Sequence, residues 1–332
     1  MKKFLAIFLV LAALIGGGLW FQANFQQFSD YWRARDYQPN AQITEIVAKI
    51  KPTDSAKTVF YATAPQILAS EEFNQNCSNL LEKSSILGCY KNGSTATDKI
   101  FIYDVQNAEL DGVKEVTSAH ELLHAVWARL SVGERERLSE LLQAEYARVK
   151  TDKLAKTMAS YAISEPGEEN NELHSILGTE ISQLSGELEQ YYAKIFENRG
   201  EIVALNQKYQ AKFEQLADQA ESLDTELRTL ESEISQMSAE YKTEIEALND
   251  DIATFNLNAE KGFYSSQSYF YADRNRLVAR RDSLENYRNQ INAKVDTHNQ
   301  KAAQLTQIAQ QIQRLYDSLN SQLEEVQNES SL

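Results

Sequence analysis

EVTSAHELLHAVWARL, residues 115–130, sets His120 and His124 four positions apart around Glu121 in a run of strong helix formers. On a helix, positions i and i+4 are displaced by about 40° around the axis and ~6 Å along it, so both imidazoles can reach one ion. Leu122 and Leu123 then anchor the helix in a core. Glu121 points to the side, where it can take a proton from an attacking water rather than bind the metal. Ser118 and Glu121 also fit a capping box carrying incidental histidines. With only 4 His in the chain, however, two at this spacing around a Glu is roughly a one-in-a-few-hundred coincidence, which favours a metal.

Zinc needs a third protein ligand. A metzincin would continue with Gly at position 127 and His at position 130, where this chain has Trp127 and Leu130, so that class is excluded. His298 lies far downstream in an apolar helical seam and reads as a partly buried seam residue. The candidates are therefore the acidic residues and His174 of SEPGEENNELHSILGTE, residues 164–180.

At this point the chain resembles the gluzincin peptidases, in which HExxH supplies two ligands and a later helix supplies a Glu. In that group the ligand Glu is often preceded by Asn and followed three positions on by Ala or Ser, a small residue that lets the second helix pack closely on the first. Asn171, Glu172 and Ser175 match that pattern. Glu180, followed at that offset by Gln183, and Glu168, followed by Asn171, fit less well. The resemblance thus implies Glu172 as the third ligand, with Glu180 as runner-up, about 80° round the helix. His174 points about 200° away from Glu172 on an ideal helix, so it is placed off the ion, with a position lining the cleft still open to it.

The resemblance further implies a Zn2+ peptidase of peptide or protein substrates, with Glu121 taking the proton of the attacking water and delivering it to the leaving amine. It makes KIFIYDVQ, residues 99–106, the expected edge strand for an extended peptide. Tyr161 is either a hydrogen-bond donor to the developing oxyanion or an ordinary core aromatic. The resemblance covers at most a third of the chain.

Outward from the motif, residues 26–197 hold every Pro after the N-terminal stretch and both Cys, and form the expected zincin-like domain. TVFYATAP (58–65) and KIFIYDVQ are rich in β-branched and aromatic residues and read as strands. AQITEIVAKI, from Ala41, has helical spacing and is stopped by Pro52. A few strands followed by packed helices give an α+β class. Cys77 and Cys89 are either a disulfide closing a short loop or two unrelated buried thiols; export would favour the disulfide.

Residues 198–332 contain no Pro, and the chain has only 4 Pro and 12 Gly in all, so long uninterrupted helices are expected there. Phe213, Leu216, Ala220, Leu223, Leu227, Leu230, Ile234, Met237 and Tyr241 form a seam of alternating three- and four-residue steps, carried on by Leu248, Ile252 and Phe255 after a slip near Glu244. A second seam runs from Leu277 through Leu284, Ile291 and His298 to Leu323. Gly262 and a polar cluster between them mark a reversal, so an antiparallel coiled-coil hairpin of roughly 80 to 90 Å is predicted. A parallel dimer is the competing arrangement. Phe263, Tyr264, Tyr269, Phe270 and Tyr271 at its tip either dock a protein partner or plug the hairpin end.

MKKFLAIFLVLAALIGGGLWF, residues 1–21, reads as an N-terminal transmembrane anchor over 1–25. Its uncharged run from Phe4 to Phe21 covers roughly 27 Å as a helix, and Lys2 and Lys3 favour a cytoplasmic N-terminus. The catalytic domain would then be extracytoplasmic on the cytoplasmic membrane, or secreted if the segment is cleaved as a signal peptide. The net charge of -15 leaves no basic stripe for a phosphate backbone, so no nucleic-acid partner is expected. The competing function is a non-catalytic surface scaffold in which the coiled coil is the working part.

Overall fold

The computed structural model describes residues 25–77, 86–93 and 98–322. Its contacts divide the chain into two units: residues up to Lys212 together with those from Arg314 onward, and Phe213–Gln313. The chain is mostly helical, with one small sheet of three strands.

In the first unit, helix α1 (25–36) precedes α2 (Ala41–Ile50), whose Asn40 side chain accepts a hydrogen bond from the Ile43 amide and whose Ile43, Ile46, Val47 and Ile50 are buried. This is the helix expected from Ala41. The strand expected at TVFYATAP is not formed: these residues lie in and just after α3 (Asp54–Ala62). The β-branched composition is overruled locally, because the Thr53 side chain caps the Ala56 amide and Ala56 and Phe60, four apart, bury one helical face. The strands are β1 (Gln66–Leu68), β2 (Gly88–Lys91) and β3 (Lys99–Tyr103), with α4 (Ser70–Cys77) between the first two.

The sheet order is β1-β3-β2, β1 running parallel and β2 antiparallel to β3, with Gly88 opposite Ile102 and Cys89 opposite Phe101. KIFIYDVQ does supply a strand, but β3 is the central one and not the expected edge. Its Ile100 and Ile102 are fully buried, as suits a strand paired on both sides. The edge nearest the motif is β2. A disulfide between Cys77 and Cys89 ties that strand to α4, its Cα atoms 6.1 Å apart, in a buried cluster with Phe73 and Phe101.

Helix α5 (Val113–Arg129) carries the motif. Gly112 precedes it at φ +102°, a conformation that suits glycine. Ser118 and Glu121 sit in mid-helix, and the Ser118 hydroxyl donates to the Lys114 carbonyl, so they form no capping box. Leu122 and Leu123 are fully buried, as expected of the residues between the histidines. At the far end of α5, Arg129 donates to Asp30 of α1 and to Asp98, which also pairs with Arg33. Removing one member of such a buried ion network costs about 3–5 kcal/mol.

Helices α6 (Val132–Val149), α7 (Asp152–Ser164), α8 (Glu169–Glu180) and α9 (Gly186–Tyr192) complete this unit. Helix α8 packs on α5 at Gly178, where an added Cβ would lie 2.5 Å from Leu123 Cδ1 and 2.8 Å from Tyr192 Cε1. Glycine there sets the interhelical distance that lets α8 side chains reach the histidines.

The second unit is formed by the parts of α10 (Arg199–Glu260) and α11 (Gln267–Leu319) that fall within Phe213–Gln313, which run side by side within one chain. Lys301 pairs with Glu226, Lys294 with Glu233 and Arg280 with Glu244 and Asp251, a descending register that makes the pair antiparallel. Leu248, Leu277 and Leu284 are the buried seam there, while Ile252, placed in the seam from the sequence, is 36% exposed and the neighbouring Asp251 is held by Arg280. His298 is half-buried, and Leu323 lies outside the described residues. At the tip the aromatics divide. Tyr264 and Phe270 pack with Phe255, ring centroids 5.2–5.6 Å apart, whereas Phe263, Tyr269 and Tyr271 are exposed.

The single-pass membrane placement is corrected: among the described residues, no helix is long and apolar enough to cross a membrane. Helix α1 is short and carries Asp30, Arg33, Arg35 and Asp36. The apolar run from Phe4 to Phe21 lies outside the described residues.

Candidate metal centre

Helices α5 and α8 bring His120, His124 and Glu172 together. One ligand atom from each lies within 4.8 Å of the other two. His120 Nε2 is 3.5 Å from one Glu172 oxygen and His124 Nε2 is 3.3 Å from the other. Direct ionic hydrogen bonds are shorter, about 2.7–2.9 Å. A tetrahedral ion with bonds of about 2.0–2.2 Å has donors roughly 3.4 Å apart along its edges. The two imidazole–carboxylate separations are close to such an edge, and the three residues together could hold a metal ion.

The outer groups set the same direction. His124 Nδ1 is 3.0 Å from Asn171 Oδ1 and 3.3 Å from Ser175 Oγ. Donation from Nδ1 to Asn171 fixes the tautomer that leaves the Nε2 lone pair for an ion. Asn171 in turn donates to Glu168. Ser175, buried completely, is thus more than a small residue permitting helix contact.

Burial opposes a charge on His120, but the hydrogen bond and charge of Glu172 overcome it and push the imidazole up to about 9. Burial keeps His124 below its ordinary value despite Glu172. Burial would raise the Glu172 carboxyl, yet both imidazoles and a hydrogen bond from Tyr161 hold it below the usual range. Tyr161, from α7, is thus a half-buried partner of Glu172 in the cleft wall.

Glu121 is 5% exposed and faces the same cavity, which has a volume of about 570 Å³. Its wall includes Gly88, Cys89 and Tyr90 of β2, Tyr161, Glu180 and Tyr209. An added Cβ on Gly88 would lie 2.6 Å from Glu121 Oε1 and 2.6 Å from Thr117 Cγ2. Gly88→Ala is therefore expected to displace the Glu121 carboxylate while leaving the three ligands in place. If Glu121 serves as the base, peptide turnover falls at least about ten-fold with zinc content unchanged, measured by steady-state kinetics beside metal analysis.

The remaining sequence candidates fall elsewhere. Glu168 serves Asn171, and Glu180 lines the cavity without joining the triad. His174 does not line the cleft: it is completely buried between Trp127, Tyr191 and Tyr192, and burial depresses it to about 3. Sequence reasoning missed β2 and Gly88. The signal in ILGCYK is faint, because the four-residue strand buries its first two residues in succession instead of alternating. No family model, curated protein or solved structure matches this chain.

Proposed function

We propose that the chain is a zinc-dependent peptidase, its ion held by His120, His124 and Glu172. The observation that carries this reading is the convergence of three ligand residues, their donor atoms within 4.8 Å of one another, beside a buried Glu121 in an open cavity edged by β2. When bound, zinc supplies a Lewis acid that polarises a carbonyl and acidifies water.

The chain's own residues supply the rest. Glu121 accepts the proton of the attacking water and returns it to the leaving amine. Among the described residues the outer edge of β2 is unpaired in the sheet order β1-β3-β2 and offers backbone groups to an extended peptide. The Cys77–Cys89 disulfide holds that edge beside Glu121. Asn171, Ser175 and Tyr161 orient the ligands.

The test is removal and return of the metal. Peptide hydrolysis by the full chain should fall to background in a strong chelator and recover on adding zinc, followed with a quenched fluorescent peptide library. Hydrolysis indifferent to the chelator would overturn the proposal.

A further inference from the structure

The cavity extends past the three ligands to a wall that the proposed chemistry leaves unused. Glu180 lies eight residues beyond Glu172 on α8, about 12 Å along the axis, and still lines the cavity. The other cavity carboxylates are engaged. Glu172 is held by the histidines and Tyr161, and Glu121 and Glu165 each have an interaction of their own. Among the described residues the Glu180 side chain has no hydrogen bond or ion pair, and burial raises its carboxyl against the weaker influence of His120 and Lys153. Lys156, the exposed cation on the α7 rim, does not pair with it.

The surroundings of this carboxylate are specific in kind. Tyr209 lines the same part of the cavity, close enough that Glu180 adds to burial in pushing its phenol up to about 12. Val116 and Thr117 of α5, a side chain of carbon alone and one with a methyl, line the same cavity. An aromatic face, these aliphatic groups and a lone carboxylate together match a side chain with a long apolar stem and a cationic head. A cationic head offsets the desolvation of the Glu180 carboxylate more fully than a neutral or acidic side chain would.

Resting on the peptidase reading above, the geometry points to Glu180 as a specificity-determining residue that binds the cationic head of a Lys or Arg side chain of the substrate, with Tyr209 against its stem. An extended peptide advances about 3.3 Å per residue, so the basic residue falls within about four positions of the scissile bond.

The experiment uses the zinc-loaded full chain and two variants, Glu180→Gln and Glu180→Lys, on peptide sets that place Lys, Gln or Glu at each position around the cleaved bond. Each peptide is made with a free and an acetylated N-terminus, to separate a side-chain ammonium from a terminal one. The expected result is a Lys-over-Gln preference in kcat/KM of about ten-fold or more at one position, retained on acetylation, the size of one charge-assisted hydrogen bond. That preference should fall towards unity in Glu180→Gln and turn towards Glu in Glu180→Lys. Cleavage without a basic preference, a preference lost on acetylation, or one unchanged in both variants overturns this assignment while leaving the peptidase standing. Absence of cleavage of every peptide by the zinc-loaded wild type overturns both.

Discussion

Glu121→Gln is expected to keep its zinc and to lose about 10²- to 10⁴-fold in kcat on any peptide the wild type cleaves. The substitution preserves shape and removes only the ability to take a proton. Glu121 is buried against Gly88 and Thr117 and is not one of the three convergent ligands, so neither the fold nor the ion depends on its charge. Zinc content by mass spectrometry and turnover in the same preparation separate the two roles. Equal cleavage by the variant would sink the mechanism, and would turn attention to the antiparallel helical arm as the working part.

The second large effect concerns Glu172. Glu172→Ala removes one of the three proposed ligands and would leave two imidazoles with no anion to balance an ion's charge. Disturbing an outer partner such as Asn171 typically costs 10- to 100-fold in affinity. Loss of the inner ligand is therefore expected to exceed about 100-fold, read by competition with a chromophoric chelator. Glu180→Ala, by contrast, is expected to keep its zinc, because Glu180 lies outside the triad. Zinc loss in Glu180→Ala with retention in Glu172→Ala would reverse the assignment of the third ligand.

What could be read from the residues alone followed from periodicity and short-range spacing. The i, i+4 histidines, the buried Leu122 and Leu123, α2 and the heptad seams all depend on helical geometry, which repeats regularly enough to be seen in one sequence. The pairing of Cys77 with Cys89 was one of two open readings, and the structure selects it. Asn171, Glu172 and Ser175 came from a family resemblance; their convergence on His124 is a tertiary fact that no local pattern contains.

The misreadings have a common cause. TVFYATAP looked like a strand because composition was weighed above the Thr53 cap and the spacing of Ala56 and Phe60. KIFIYDVQ is an edge strand only by family resemblance; here β1 and β2 pair with it on both sides, partners that lie outside any local pattern. Ile252 fits the seam by its apolarity and spacing, yet it is exposed, beside an Asp251 that pairs with Arg280. The division of the tip aromatics into a packed trio and an exposed set likewise depends on how the hairpin turns.

The most direct measurement is the zinc content of the purified full chain after dialysis against metal-free buffer, taken beside His124→Ala treated identically. About one zinc per wild-type chain and almost none in the variant is the predicted result. A wild type that emerges without metal and cannot be reloaded, or a variant that binds zinc as tightly as the wild type, would contradict the shared grip of His120, His124 and Glu172 on one ion.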